Sequence, residues 1–334
     1  MGRRPVSVDR LIDYIEARIL SREYPPGSAL PSVRRLAGKF KLSYSTTYRA
    51  LEKLGEAGIL TRRDGVGFLI ADRPFARNRN GRKIIAMIEG APQSSVHQSG
   101  MAHSALLAAR NVLEAENYSI EIRQENCSTM TLEKIRDASF ECDGMMLLGT
   151  YDYALSNLET FCPTVGMIMQ DSFNGRLSTV NLDPFDAARQ AVNYFLGRSS
   201  RVVIVSSPKP VYRYRARVFS QIWTDIGGRI EFVEPSTFHF EDQANTGYFF
   251  SSDDWLNNAS STHFEHHGCR LEDKFVVLGI DGKHLLNPDY PVFPTIGIEW
   301  RKAGEIVAEE LLRLIDHPGS LTRNIAVCGK LLNV

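Results

Sequence analysis

No run of apolar residues in this 334-residue chain approaches the ~18 needed for a membrane-spanning helix, and the first residues, MGRRPVSVDR, hold no apolar stretch of signal-peptide length. A cytoplasmic location and no membrane partner are therefore expected. No Cys-x-x-Cys pair occurs: Cys127, Cys142, Cys162, Cys269 and Cys328 are widely spaced, which excludes dithiol chemistry and suits reduced thiols. There is no glycine-rich phosphate loop, nucleophile elbow or His-Glu-x-x-His zinc pattern. Asp171, His239, His263, His266 and His267 remain as isolated titratable groups. The run His263-x-x-His266–His267 has a metal-like spacing but only Cys269 downstream of it. Neither a metal nor a cofactor is expected, and an enzyme is the weaker functional class. Net charge is absent too, with 39 Lys+Arg against 39 Asp+Glu.

That balance hides an asymmetry. Residues 1–80 hold 16 basic and 8 acidic side chains, so a head of net charge +8 precedes a body of −8. A basic head is the distribution expected of a chain whose first domain meets phosphates.

Within that head, Ser7 can cap a helix from Val8 to about Ser21, with Val8, Leu11, Ile12, Ile15 and Ile19 on one face. Pro31 and Ser32 open a second helix carrying Leu36, Ala37 and Phe40. After a tight joint at Lys41–Leu42–Ser43, Ser43 caps a third from Tyr44 to about Ala57, with Tyr48, Leu51 and Leu54 expected inward. Gly58 suits a left-handed C-cap. Two short strands, Ile59–Thr61 and Gly67–Ile70, flank a hairpin turn at Asp64–Gly65. This is the layout of a winged helix-turn-helix, an α+β domain over residues 1–72. The third helix would enter the major groove with Ser45, Thr46, Thr47 and Arg49 on or beside its polar face, and Ser43 at its start would meet a phosphate. Arg34, Arg62 and Arg63 would clamp the backbone, Arg63 alternatively probing the minor groove, while Gly65 shapes the wing.

The run Leu30, Pro31, Ser32, Arg34, Leu36, Ala37, Ser43, Thr46, Thr47, Ala50, Leu51, Leu54, Gly58, Gly65, Gly67, Phe68 resembles the GntR-type winged helix of bacterial transcription regulators. The resemblance implies DNA contact through Arg34, Thr47, Arg49 and the wing from Arg63 to Gly65. Tyr44 departs from it, standing where the family often has arginine. Tyr48 replaces the usual Val or Ile in a slot read as internal.

Residues 73–82 are arginine-rich without apolar period and read as a linker. From residue 83 to 334, short apolar strands alternate with amphipathic helices, the pattern of parallel sheets covered on both faces, which bind ligands at the C-terminal ends of their strands. Polar residues past those ends are the candidates: Gln93, Ser94, Ser95, Asp171, Asp183, Arg215, Asp253, Asp254 and Asp281, with Trp255 and Trp300 as rings to stack on a sugar face. For Asp183 and Asp254, a helix-capping role is an equal alternative.

Val180–Asn181–Leu182–Asp183, Arg215 with Phe219, Asp253–Asp254, Gly279–Ile280–Asp281, Pro294–Thr295–Ile296, Trp300 and Gly304 resemble the LacI-type effector module, itself similar to periplasmic sugar-binding proteins. The resemblance implies two lobes, one of about 83–181 plus 294–320 and the other of about 182–293 plus 321–334. The chain would cross between them near 180–184, 290–296 and 318–324, and Asp183, Arg215, Asp253, Asp281 and Trp300 would line the cleft. With the GntR-type head, the whole resembles the arabinose-repressor architecture. It implies a homodimeric repressor that binds a pseudo-palindromic double-stranded operator and is controlled by a small-molecule effector, a sugar, by induction or corepression. A non-sugar effector, an α/β enzyme and a transport-type sugar receptor are the competing readings.

Overall fold

The structure is a computed structural model and describes residues 6–20, 23–71, 82–89, 98–125, 131–149, 160–168, 177–241, 243–285, 292–317 and 319–332. The chain divides into two compact units, the second beginning at Lys83.

The first unit contains α1 (Val6–Leu20), α2 (Val33–Phe40), α3 (Tyr44–Glu56), β1 (Leu60–Arg63) and β2 (Gly67–Ile70). Leu11, Ile15 and Ile19 on α1 bury completely against Leu36, Leu51, Leu54, Phe68 and Ile70. Each such side chain contributes about 1.5–3 kcal/mol of transfer free energy. Helix α1 begins at Val6, one residue ahead of Ser7, so Ser7 lies inside the helix rather than at its cap. Ser32 caps α2, its Oγ accepting from the Arg35 amide, and Lys41 closes it in the left-handed conformation. That left-handed residue makes the tight joint. Two residues on, Ser43 starts α3. The strands pair antiparallel from Leu60–Ile70 to Arg63–Gly67.

The second unit has β3 (Arg82–Glu89), α4 (Gln98–Ala115), β4 (Tyr118–Glu125), α5 (Leu132–Phe140), β5 (Gly144–Leu148), β6 (Thr164–Met167) and β7 (Ser178–Leu182). There follow α6 (Pro184–Phe195), β8 (Arg201–Val205), α7 (Pro210–Asp225), β9 (Arg229–Val233), β10 (Thr246–Phe250), α8 (Asp253–His267), β11 (Val276–Asp281) and β12 (Thr295–Gly297). The last elements are α9 (Trp300–Asp316), β13 (Asn324–Val327) and β14 (Lys330–Leu332). They build two six-stranded sheets, ordered β4-β3-β5-β6-β7-β13 and β9-β8-β10-β11-β12-β14. In the second, β14 runs antiparallel to β12. Strands β5, β6 and β10 are buried throughout, as their short apolar runs require in a sheet covered on both faces.

Pairing moves two segments from their expected lobes. The chain passes between the sheets after Leu182, between Gly297 and Trp300, and between Val327 and Lys330. Residues 295–297 therefore belong with the second sheet and 324–327 with the first, the reverse of the sequence-based partition. Strands of three or four residues carry too little apolar period to reveal their sheet; only the partner decides it. Helices α4 and α9 lie together over the first sheet. A Cβ on Gly304 would come within 2.0 Å of the Ala105 carbonyl oxygen, so only glycine permits that approach.

Candidate functional site

Two surfaces carry the candidate chemistry. On the first unit, Ser43 holds the start of α3: its Oγ accepts from the Thr46 amide at 3.1 Å and lies 2.7 Å from the Thr46 hydroxyl and 3.0 Å from that of Ser45. Capping satisfies one of the free amides of the first turn and leaves others facing outward with the positive end of the helix dipole. Arg34, Arg49, Arg63 and Gly65 are exposed. Gly65 takes a φ of 78° within the wing turn, a conformation that glycine adopts without cost.

Two expectations for this surface exchange places. Thr47 is fully buried and its hydroxyl donates to the Ser43 carbonyl at 3.0 Å, so it is a packing residue and not part of the exposed face. Tyr48 lies on the half-exposed side instead. Its hydroxyl accepts from Arg62 Nη1 at 2.6 Å, and its ring meets Phe68 edge-on at 5.7 Å. Arg62 is therefore held against α3, while Arg63 extends from the wing. Tyr44, 54% exposed, stacks on Tyr48 at 6.2 Å with the rings 15° apart.

In the second unit, Asp183, Arg215 and Trp300 do meet. They line a cavity of about 330 Å³ together with Thr179, Asn181, Phe185, Tyr214 and Asn324. Asp183 also caps α6, accepting from the amides of Phe185 at 2.9 Å and Asp186 at 3.2 Å. Thr179 donates to Asn324 Oδ1 at 2.7 Å, tying β7 to β13 along one wall.

Below this cavity lies a buried ionic network. Arg215 Nη1 donates to Asp281 Oδ1 at 2.8 Å and to the Ser251 carbonyl at 3.0 Å. Asp281 Oδ2 accepts from Ser252, and the Asp281 carbonyl accepts from Trp300 Nε1 at 2.8 Å. Asp281, only 1% exposed, adopts a φ of 128°, a strained value for a residue with a side chain. The surrounding bonds over-determine that conformation. Asp281 is thus the clamp for Arg215 and the Trp300 ring, behind the cavity wall.

Asp253 and Asp254 do not reach the cavity. Asp253 is fully buried, accepting from Thr295 Oγ1 at 2.7 Å and the Lys283 amide at 3.0 Å. Burial, and then the charge of Asp281, push its carboxyl up to about 7. Asp254 pairs with the buried Lys283 ammonium. The first turn of α8 therefore directs both carboxylates into the domain. Trp255 lines a different cavity, of about 580 Å³, with Phe238, Phe240 and His266. His263 turns inward against Phe240 and Phe275, and burial lowers its pKa. Among the described residues no three metal-ligating side chains converge. Gln93, Ser94, Ser95 and Asp171 lie outside the described residues. Of the cavity residues not named from sequence, Thr179 and Asn324 sit on paired strands, Tyr214 within α7 and Phe185 in the first turn of α6, and only the tertiary structure brings them to one wall.

Residues 7–70 match the family model of the bacterial regulatory proteins, gntR family. Among curated proteins, "Probable transcriptional regulator PhnF" of Escherichia coli is 35% identical over 78 residues, which are 22% of this chain and 32% of that protein. The chain thus spans about a third of the curated relative it matches. Solved structures resemble the second unit. A LacI family transcriptional regulator from Enterococcus faecium with bound ribose aligns with a TM-score of 0.59 at 14% identity, covering 75% of this chain and 97% of that one. A periplasmic binding protein/LacI transcriptional regulator from Alkaliphilus metalliredigens complexed with D-xylulofuranose aligns with a TM-score of 0.57 at 15% identity, again over 75% and 97%. The architecture is a hybrid. A winged helix matched by the gntR family model precedes an α/β body with the fold of LacI-type, periplasmic-binding-protein-like structures. No helix among the described residues is long and apolar enough to cross a membrane.

Proposed function

We propose that the chain is a sequence-specific DNA-binding transcription regulator whose operator affinity is set by a small molecule in the body. The observation that carries this reading is the GntR-matched head itself. Its third helix begins at a serine cap, with Ser45, Thr46 and Arg49 outward and Arg34 and Arg63 alongside. Guanidinium groups there meet phosphates or guanine edges, and the amides of the first turn meet a phosphate. Two heads of a homodimer would read a pseudo-palindromic operator in the cytoplasm.

The effector would occupy the cavity of Asp183, Asn181, Tyr214, Arg215 and Trp300. Its volume of about 330 Å³ lies in the small-ligand range. Ribose and D-xylulofuranose in structures of the same fold support a pentose-like polyol. Because Asp253, Asp254 and Asp281 are engaged inside the domain, hydroxyls would be held by amide, phenol and guanidinium groups and the Asp183 carboxylate. That same withdrawal of carboxylates favours, as a second reading, an effector with fewer hydroxyls than a sugar. In either case the ligand moves operator affinity only through unequal affinity for two arrangements of the body. Repression with release by inducer is the default sign.

A thermal-shift screen of the full chain with pentoses, hexoses and sugar phosphates, followed by operator titration with any stabilising compound, tests this function. Stabilisation by a pentose together with altered operator affinity is the expected result. Specific DNA binding that no stabilising compound alters would remove the effector half of the proposal.

A further inference from the structure

We infer that Tyr44, stacked on Tyr48, reads the C5-methyl group of a thymine in the operator; this rests on the DNA-binding reading above and names a specificity determinant within it. Tyr44 is the first residue of α3 after the Ser43 cap, at the end of the helix that carries the exposed Ser45 and Arg49. It leaves a large ring 54% exposed.

That ring is not loose. It lies nearly parallel to Tyr48, 6.2 Å away. Tyr48 is fixed from two other directions, by the edge of Phe68 on β2 and by the Arg62 guanidinium on β1, which donates to its hydroxyl and sits 5.8 Å from its ring centre. Recognition helix and wing thus hold one rigid aromatic platform, and Arg62 is engaged in bracing it. A preorganised side chain loses little rotamer freedom on binding.

The ring's chemistry selects its target. A phenol carries no positive charge, so it neither neutralises a phosphate nor donates bidentately to guanine O6 and N7 as an arginine there would. The apolar feature that the major groove presents is the thymine methyl. Ring contact with that methyl would give a preference for a T·A pair, and its loss should cost about fourfold in affinity, the worth of about one buried methyl group.

The test uses the full chain and an operator duplex selected with it from randomised DNA. Each dT is replaced in turn by deoxyuridine, which removes only the methyl, and affinity is read by fluorescence anisotropy at fixed salt. Wild type should show a position in each half-site where deoxyuridine weakens binding about fourfold. Tyr44→Ala should bind both duplexes alike, with an unchanged salt slope, and Tyr44→Phe should keep the discrimination. Tyr48→Ala, which removes the platform, should reduce it. Tolerance of deoxyuridine at every position by wild type would overturn the inference, as would an undiminished penalty in Tyr44→Ala or loss of discrimination in Tyr44→Phe. A head that enriches no duplex fails earlier, at the DNA-binding reading, and takes this inference with it.

Discussion

Asp253 shows how one carboxyl can be tied to a fold by its proton. Buried beside Asp281, it is held up to about 7, so the native state keeps a proton that the unfolded chain has released. Its contribution to stability is fully present below the ordinary carboxylate range and is lost as pH rises towards 7. Asn in its place can still accept from the Lys283 amide through its Oδ1, and being uncharged it needs no proton to stay buried. Asp253→Asn should therefore stay within about 1 kcal/mol of wild type at pH 7 and flatten the decline between pH 4 and 7, whereas Asp253→Ala, which orphans buried donors, should cost about 2–3 kcal/mol. Urea unfolding across that pH range measures both. Arg215 presents the complementary case. It is 6% exposed and its partner Asp281 1%, so Arg215→Ala leaves a buried carboxylate without its cation and should destabilise the body by about 3–5 kcal/mol. Arg215→Ala combined with Asp281→Asn should lose less than the sum of the two single changes. The sequence marked both residues as chemistry-bearing, from their place past apolar strands. It did not reveal that they face each other, because the pairing of residues 66 apart depends on tertiary structure.

Elements in the head were more legible than side-chain directions. The Ser43 cap, the left-handed Gly58 and the wing turn follow from local chemistry and the structure has each, whereas Ser7 lies inside α1. Thr47 and Tyr48 face the reverse of what the sequence implies, because adjacent residues on a helix differ by about 100° and an aromatic residue reads as core by hydrophobicity alone. The Thr47 hydroxyl, bonded to the carbonyl four residues back, is satisfied inside; the Tyr48 phenol is satisfied by Arg62 at the surface. Ser43→Ala should cost the head about 1 kcal/mol by loss of its cap, read as a lower unfolding midpoint of the first transition in calorimetry. Arg63→Ala should weaken DNA binding evenly across sequences and reduce the slope of log affinity against log salt by about 1 if it meets a phosphate. Helix α7 shows a clear helical period in sequence only in its second half. Its first turns, VYRYRAR, alternate aromatic and basic residues and hide the helical period that carries Arg215. The nine residues of helix α5 are too few to establish a period.

At the scale of the whole chain, charge and pattern were enough to separate a basic head from an α/β body, and the body's strand–helix alternation gave its parallel sheets. The two later passages between sheets were misplaced because β12, β13 and β14 hold three or four residues each and are assigned by their partners. That matters for function, since β13 supplies Asn324 to the cavity wall. If the cavity controls DNA affinity, a bound effector must change how tightly the head holds its operator. Anisotropy of a labelled operator with the full chain, with and without a saturating pentose that stabilises the protein, should show a change in affinity of about 5- to 150-fold that Asn181→Leu diminishes. Equal operator affinity with and without that ligand, or an undiminished response in Asn181→Leu, would contradict it.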